Sequence, residues 1–212
     1  KGDIIAVLAP NSMYSMELYM AIPTAGCTVI MLPAAEKAIT ADTLAKLIEK
    51  FDIKGLFINL EYEEVAKGQN TKVYDIHATA LTPSDVADVD KDDIAVICFS
   101  VNDDPANPYG AMLSHGAIMR AAHNGLFIPG HTYNQTTIAI LPLSHVFGAI
   151  RGLLTCIYTG ALVYACEDMS NIIFGVRPVI EAIEAGKEID KVLIKKGAEG
   201  DNILKLKDLC KY

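Results

Sequence analysis

The sequence has no long uninterrupted apolar run. Its apolar stretches are broken by Pro, Gly, His or Arg before they reach the roughly 18 to 20 residues that span a bilayer. The opening Lys1-Gly2-Asp3 also lacks the pattern of a secretory signal peptide. We therefore expect no membrane span and a cytoplasmic location.

Basic residues are in the minority. The chain has 18 Lys and Arg against 26 Asp and Glu, a formal net charge of -8, whereas nucleic-acid binding depends on clustered Lys and Arg that neutralise phosphates. The composition thus argues against a general attraction to RNA or DNA. The balance is uneven, because residues 1–170 hold 10 basic and 19 acidic side chains and residues 171–212 hold 8 and 7. The C-terminal segment is thus nearly neutral, whereas the rest of the chain is acidic.

Cysteines are few, odd in number and far apart, and most lie in apolar runs. They are Cys27, Cys98, Cys156, Cys166 and Cys210. This distribution predicts buried free thiols rather than a disulfide framework or a zinc site, which fits a reducing compartment. His115 and His123 share one predicted helix, but their spacing does not favour metal ligation. We predict no metal site.

What the chain does contain is a regular alternation of strands and helices. Short apolar runs predict buried strands at 3–9, 28–32 and 55–59, and helices at 13–25 and 40–51 lie between them. This order is typical of right-handed βαβ units. The fold class predicted is α/β, with a predominantly parallel sheet flanked by helices.

The alternation continues beyond an acidic linker at about 82–93. Further strands are predicted at 72–77, 94–100, 136–143 and 161–166, and further helices at 61–67, 114–126 and 146–159. Residues 171–212 restart the pattern as a short βαβα segment, with strands at 171–176 and 191–195 and helices at 178–185 and 201–212. We predict two domains, 1–170 and an appended 171–212.

The segment after strand 94–100 has the position of a phosphate loop without its chemistry. A predicted buried strand is followed by a polar loop and then by a helix capped by Ser114. Many proteins bind nucleotide phosphates with this arrangement. The loop, however, contains Asp103 and Asp104, no lysine, and Pro105, which has no N–H to donate. The simplest interpretation of the Asp-Asp-Pro run is a solvated turn, which we favour over a carboxylate metal site.

Four segments, in order, resemble the landmarks of adenylate-forming enzymes, especially acyl-CoA synthetases. They are 2–12, 25–33, 100–115 and 141–148. The resemblance implies an ancestral reaction in which ATP activates a carboxylic acid, such as a fatty acid, to an acyl-adenylate that is transferred to CoA. It also implies ATP, Mg²⁺ and CoA as the cofactors of the family, and residues 1–170 as part of its N-terminal domain.

The resemblance is weakest at the centre of the loop. In the family the loop reads roughly Thr-Ser-Gly-Thr-Thr-Gly-x-Pro-Lys-Gly, whereas residues 101–106 here are Val-Asn-Asp-Asp-Pro-Ala and Tyr109 stands where the lysine is expected. The resemblance assigns the following positions to a remnant of the nucleotide-phosphate loop: Phe99, Ser100, Asn102, Asp103, Asp104, Asn107, Tyr109 and Gly110. We expect weak or absent ATP binding, no bound cofactor and no catalytic residue in this chain.

The second landmark with chemical content is Leu141 to Gly148. By resemblance, His145, Phe147 and Gly148 are candidates for the acyl pocket, which would hold a small carboxylate or an adenylate weakly. A histidine at the start of a helix can equally be a capping or packed residue. Both interpretations stay open from the sequence.

Later landmarks of the family have no counterpart before Tyr212. These are the Tyr-Gly-x-Thr-Glu segment, the acidic ribose-binding strand and the catalytic lysine of the C-terminal domain, and the first elements of the N-terminal domain also lack a counterpart. The sequence thus predicts a truncated, inactive relative of acid-CoA ligases. Its truncated surfaces would favour homo-oligomers or docking onto another chain.

Residues 171–182 and 190–197 resemble the opening of the substrate-binding domain of SpoU-type RNA 2′-O-ribose methyltransferases. By that resemblance Lys191, Lys195 and Lys196 are candidate RNA contacts. Seven acidic residues are interspersed among the eight basic ones of 171–212, so we favour a solvated face over an RNA site. The alternative function is a non-catalytic interaction or RNA-binding module.

Overall fold

The computed structural model describes residues 1–34, 39–78, 86–99, 110–127, 135–166, 175–187, 189, 192, 194 and 197–210. The chain forms two units, Lys1–Asp168 and Met169–Tyr212. Among the described residues, no helix combines the length and the apolar character needed to cross a membrane.

A six-stranded sheet forms the centre of the first unit. Its strands are β1 Ile4–Leu8, β2 Thr28–Met31, β3 Ile53–Ile58, β4 Lys72–Asp75, β5 Ile94–Phe99 and β6 Gly110–Ser114. Their order is β4-β3-β1-β2-β5-β6, and every neighbouring pair is parallel except β5 and β6. Two further strands, β7 Thr136–Ala139 and β8 Leu162–Ala165, form a separate parallel pair. The mainly parallel sheet predicted from the sequence is confirmed.

Helices connect the strands and cover the sheet. In the first unit they are α1 Met13–Thr24, α2 Ala41–Phe51, α3 Glu63–Ala66, α4 His115–Asn124 and α5 Thr155–Tyr158, with a π-helix at Gly148–Leu154 and short 3₁₀ turns at Leu60–Tyr62 and Gly125–Phe127. Ser12 Oγ accepts from the Ser15 N–H at 3.2 Å while Ser15 Oγ accepts from the Ser12 N–H at 2.7 Å, a reciprocal cap that starts α1 just beyond β1.

The two faces of the sheet bury separate apolar clusters. On one face α1 contributes Met16, Tyr19 and Ile22, which pack with Val7 and Val29. On the other, α2 contributes Leu44, Leu47 and Ile48, which pack with Leu8 and Leu56. Because successive strand residues point to opposite faces, β1 serves both clusters. Burying such side chains stabilises the fold by roughly 1.5–3 kcal/mol each, which explains why the β1 sequence is apolar throughout.

The prediction that the loop after β5 leads directly into a helix is wrong. Residues Gly110–Ser114 form β6, which runs antiparallel to β5 with Phe99 opposite Gly110 and Ile97 opposite Met112. The strand lies at the edge of the sheet, and its Met112 side chain is 68% exposed. A short edge strand with one solvated face carries little of the apolar signal of a buried strand.

In the described part of the second unit, two helices pack on each other, α6 Val176–Glu184 and α7 Asp201–Leu209. Ile180 and Leu206 are buried, and Lys205 Nζ lies 2.7 Å from Glu184 Oε1 across the helix pair. The helix predicted from Pro178 begins two residues earlier, at Val176. Most residues of the two strands predicted for this unit lie outside the described residues.

Candidate functional site

The parallel strands of the first unit end at one edge of the sheet, and this carboxyl edge is the candidate site. After β1 the chain forms β2, which pairs with one side of β1. It then forms β3, which pairs with the other side of β1, and β4, which pairs with β3. Open α/β sheets bind ligands beside such a switch in strand order. Asn11 follows β1 at this edge, and Asn59 follows β3.

Asn11 ties the end of β1 to the segment that follows β7. Its side-chain amide donates to the carbonyl oxygens of Leu141 at 2.9 Å and Ala139 at 3.3 Å. Its Oδ1 accepts from the N–H of Leu143 at 3.0 Å. The Asn11 residue is buried, so these three hydrogen bonds satisfy polar groups that water does not reach. The bridge joins residues about 130 positions apart.

The tied segment continues into the candidate acyl-pocket histidine. The His145 N–H donates to Pro142 O at 3.1 Å, and the His145 carbonyl accepts from the Ala149 N–H at 3.0 Å. The His145 Nδ1 accepts from the Phe147 N–H at 3.2 Å. Because Nδ1 is the acceptor, the proton of the neutral ring lies on Nε2. The histidine therefore caps the helix start, and its ring orientation is fixed by that cap.

Gly148 occupies the tightest place in this segment. It is buried, and a Cβ added to it would lie 2.3 Å from Pro142 O and 2.8 Å from Leu141 O. Only glycine lets the helix start approach the Leu141–Pro142 backbone this closely. The helix predicted over 146–159 is present, with a π-helix at Gly148–Leu154 that continues into α5. π-helical turns recur at functional sites. The exposed Phe147 side chain lies directly before it.

The phosphate-loop remnant is described only at its two ends. Phe99 is the last residue of β5 and pairs with Gly110, the first residue of β6. A Cβ at Gly110 would lie 2.4 Å from the Ile97 side chain, so the first position of β6 also requires glycine. The other candidate positions lie outside the described residues: Ser100, Asn102, Asp103, Asp104, Asn107 and Tyr109.

The buried ionisable groups near this edge are not suited to nucleophilic chemistry. Burial raises the pKa of the Cys98 thiol to about 11, so the reactive thiolate is scarce at neutral pH. Burial, reinforced by Cys98, also raises the pKa of Tyr19 far above its usual range. Among the described residues, no group of His, Cys, Asp and Glu is arranged to hold a metal ion.

Sequence reasoning missed several side chains at the carboxyl edge. Besides Asn11, Tyr14 and His77 meet edge to face with ring centroids 4.6 Å apart, and His77 Nε2 lies 3.3 Å from Asn59 Oδ1. No local pattern could have found these contacts, because their partners are distant in the sequence. Of the candidate RNA contacts, Lys191, Lys195 and Lys196 lie outside the described residues.

A helix-covered, mainly parallel sheet with a change of strand order at β1 places the first unit in the class of open α/β folds. Comparison with known families then makes the assignment specific. The chain belongs to the AMP-binding enzyme family, whose sequence model matches residues 1–184. Residues 172–212 match a second family, described as RNA 2′-O ribose methyltransferase substrate binding, and the two matches share residues 172–184.

Individual relatives are CoA ligases. The chain is 26% identical over 180 residues to an oxalate-CoA ligase of Arabidopsis thaliana, a match that covers 76% of this chain and 34% of the ligase. The apo structure of MatB from Rhodopseudomonas palustris is similar with a TM-score of 0.69 and 19% identity, covering 86% of this chain and 38% of that one. The chain thus spans about a third of the length of the curated relatives it matches.

A further similar structure is that of o-succinylbenzoate-CoA synthetase from Bacillus subtilis, in complex with the acyl-adenylate intermediate OSB-AMP. Its TM-score is 0.69 at 18% identity, and the match covers 87% of this chain and 47% of that one. The family assignment and these neighbours agree on the α/β fold with a mainly parallel sheet. The acyl-CoA synthetase resemblance found in the sequence is therefore confirmed.

Proposed function

We propose that this chain is a non-catalytic member of its family. It binds a small carboxylic acid or the corresponding adenylate weakly at the carboxyl edge of its sheet, and it does not activate the acid with ATP. The observation that carries the proposal is the composition of the loop at 101–106, where two carboxylates and a proline stand between the ends of an intact β5–β6 hairpin. The fold around the loop is kept while the phosphate-binding residues are replaced.

Electrostatics supports the loss of ATP binding. A carboxylate 4 Å from a phosphate charge is repelled by about 4 kcal/mol at an effective dielectric of 20. Asp103 and Asp104 bring two such charges, and Tyr109 brings no positive charge to offset them. Backbone N–H groups, which bind phosphates in such loops, are also reduced by Pro105.

The structure of the Leu141–Gly148 segment supports the proposal that the chain binds an acid or adenylate weakly. The Leu141–Gly148 segment is fixed by the Asn11 bridge, by the His145 cap and by the close approach at Gly148. A site held this rigidly keeps its shape without a bound nucleotide. The Bacillus relative named above was solved with an acyl-adenylate, which is the chemistry proposed for this edge.

The proposal predicts a chain with no adenylation activity. ATP–pyrophosphate exchange with a panel of aliphatic and aromatic acids should stay at the no-protein background. In calorimetric titrations, Mg-ATP should bind with a Kd above about 1 mM, and a non-hydrolysable acyl-adenylate analogue should bind at least about tenfold more tightly, because it carries less charge toward the loop. Exchange at an ordinary enzymatic rate would contradict the inactivity, and no binding of the analogue would contradict the acyl site.

A second candidate function concerns the C-terminal unit, since residues 172–212 match an RNA methyltransferase substrate-binding family. Acidic and basic residues are nearly balanced there, so we expect no salt-sensitive binding of a short RNA hairpin by fluorescence anisotropy. If binding is seen, the triple variant Lys191→Glu, Lys195→Glu, Lys196→Glu identifies its site. The matched control is Lys46→Glu, Lys50→Glu, Lys54→Glu on the first unit. Loss of binding in the first triple variant alone would establish the RNA function.

A further inference from the structure

Asn11 is the link between the sheet edge and the candidate acyl-pocket histidine. It follows the central strand β1, and its side chain both donates to and accepts from the backbone of the Ala139–Leu143 segment. A buried amide that donates twice and accepts once fixes both the distance and the register of the bonded segment. The segment cannot slide by one residue without breaking all three hydrogen bonds.

A series of short contacts connects Asn11 to the His145 ring. Leu141 and Leu143, which bond to Asn11, flank Pro142, whose carbonyl accepts from the His145 N–H. Gly148 then packs against the carbonyls of Leu141 and Pro142, which brings the helix start over the turn. In that position the Phe147 N–H reaches His145 Nδ1. These contacts connect the turn that Asn11 holds to the His145 ring.

We propose that Asn11 is a positioning residue for His145. By fixing the Leu141–Leu143 turn it keeps the Phe147 N–H on Nδ1, and thereby keeps the neutral ring protonated on Nε2. A histidine with one fixed tautomer presents one defined hydrogen-bond donor to a ligand. The functional part of this inference rests on the proposed acyl site, whereas the structural part, the effect of Asn11 on the ring, does not.

Three variants separate this role from a general effect on folding. Asn11→Ala removes all three hydrogen bonds. Asn11→Asp keeps an acceptor for the Leu143 N–H and loses both donors, so it is the conservative partial replacement. Asn59→Ala is the matched control for the ring and exchange measurements, because Asn59 follows the neighbouring strand at the same edge. Its Oδ1 accepts from the Leu60 N–H and lies 3.3 Å from His77 Nε2.

The test measures the ring and the segment without any ligand. Nitrogen-15 NMR of the histidine rings should give one Nδ1-acceptor signature for His145 in the parent protein and in Asn59→Ala. The same signal should show averaged tautomers in Asn11→Ala. Amide exchange of Leu143 should accelerate at least about tenfold in Asn11→Ala, clearly less in Asn11→Asp, and less than twofold in Asn59→Ala. An unchanged His145 ring signal in folded Asn11→Ala would overturn the proposal.

A second measurement relates the role to ligand binding. The acyl-adenylate analogue should bind Asn11→Ala about tenfold more weakly than the parent. Gln69→Ala removes a side-chain amide that donates to the Ala41 and Val65 carbonyls, before the start of β4 and away from the candidate site, and it should bind the analogue as the parent does. If the parent does not bind the analogue, the acyl-site proposal fails while the ring measurement still decides the role of Asn11. If all variants bind alike although the ring tautomer changes, Asn11 positions His145 but the ring does not contact the ligand, which overturns the functional part.

Discussion

Gly148→Ala is expected to destabilise the first unit by about 3 kcal/mol or more, near or above the upper end of the usual cost of overpacking. The added methyl group would lie 2.3 Å from Pro142 O and 2.8 Å from Leu141 O. Both contacts are with backbone atoms, which cannot rotate away as a side chain would. Relief requires the helix start to move off the turn, and that movement breaks the His145 cap. Urea unfolding followed by circular dichroism measures the loss.

The same π-helix supplies the control for this change. Gly152 lies four residues further on, and no described atom outside its neighbouring residues and the backbone of its own helix approaches within 4 Å of the position its Cβ would take. Gly152→Ala is therefore expected to be neutral or to stabilise by up to about 1 kcal/mol, because alanine favours a helix over glycine. Equal unfolding midpoints for the two variants would show that the close approach at Gly148 does not constrain the fold.

Restoring phosphate-binding residues to the loop should recover ATP binding. The triple variant Asp103→Ser, Asp104→Thr, Tyr109→Lys removes two repelling carboxylates and adds a lysine. We expect ATP affinity by calorimetry to rise at least tenfold, or about 1.4 kcal/mol. The expected gain in binding free energy is well below the repulsion calculated for two carboxylates. Solvent screening reduces that repulsion, and Pro105 still lacks an N–H that could bind a phosphate.

The control places the same change of charge at the other end of β5. Val86→Lys, Asp88→Ser, Asp92→Thr also removes two carboxylates and adds a lysine, at exposed positions before the strand. It should leave ATP binding within about twofold of the parent, because exposed charges beyond a Debye length of about 10 Å are largely screened. A similar gain in both variants would mean that ATP responds to net charge rather than to the loop.

The parts of the fold that local patterns determine could be predicted from the sequence. Continuous apolar runs identified β1, β2, β3 and β5, because a parallel strand is buried on both faces. The reciprocal Ser12–Ser15 cap and the amphipathic α2 likewise follow from neighbouring residues. β6 was missed because its side chains at the sheet edge are partly exposed, so neither an apolar run nor a strict alternation marks it.

The candidate site was predictable only in part, for a related reason. The Leu141–Gly148 segment was found through its resemblance to a family, and the structure adds why it has its shape. Asn11 reads in the sequence as a residue beside a helix cap, and its bonds to the segment about 130 residues away carry no local signal. The steric need for Gly148 arises from a turn that folds back on it. Contacts between residues that are far apart in the sequence cannot be predicted from the spacing of apolar residues along the chain.

The antiparallel pairing of β5 and β6 bears on how the loop between them could change during evolution. Phe99 faces Gly110 across the ladder, so the two points where the loop joins the sheet are held together by the sheet itself. Insertions and substitutions between these points need not alter the register of either strand. Selection for nucleotide chemistry could lapse in such a segment while selection for folding continued undisturbed. The hairpin thus separates the loop residues that would contact a nucleotide from the strand pairing that stabilises this part of the sheet.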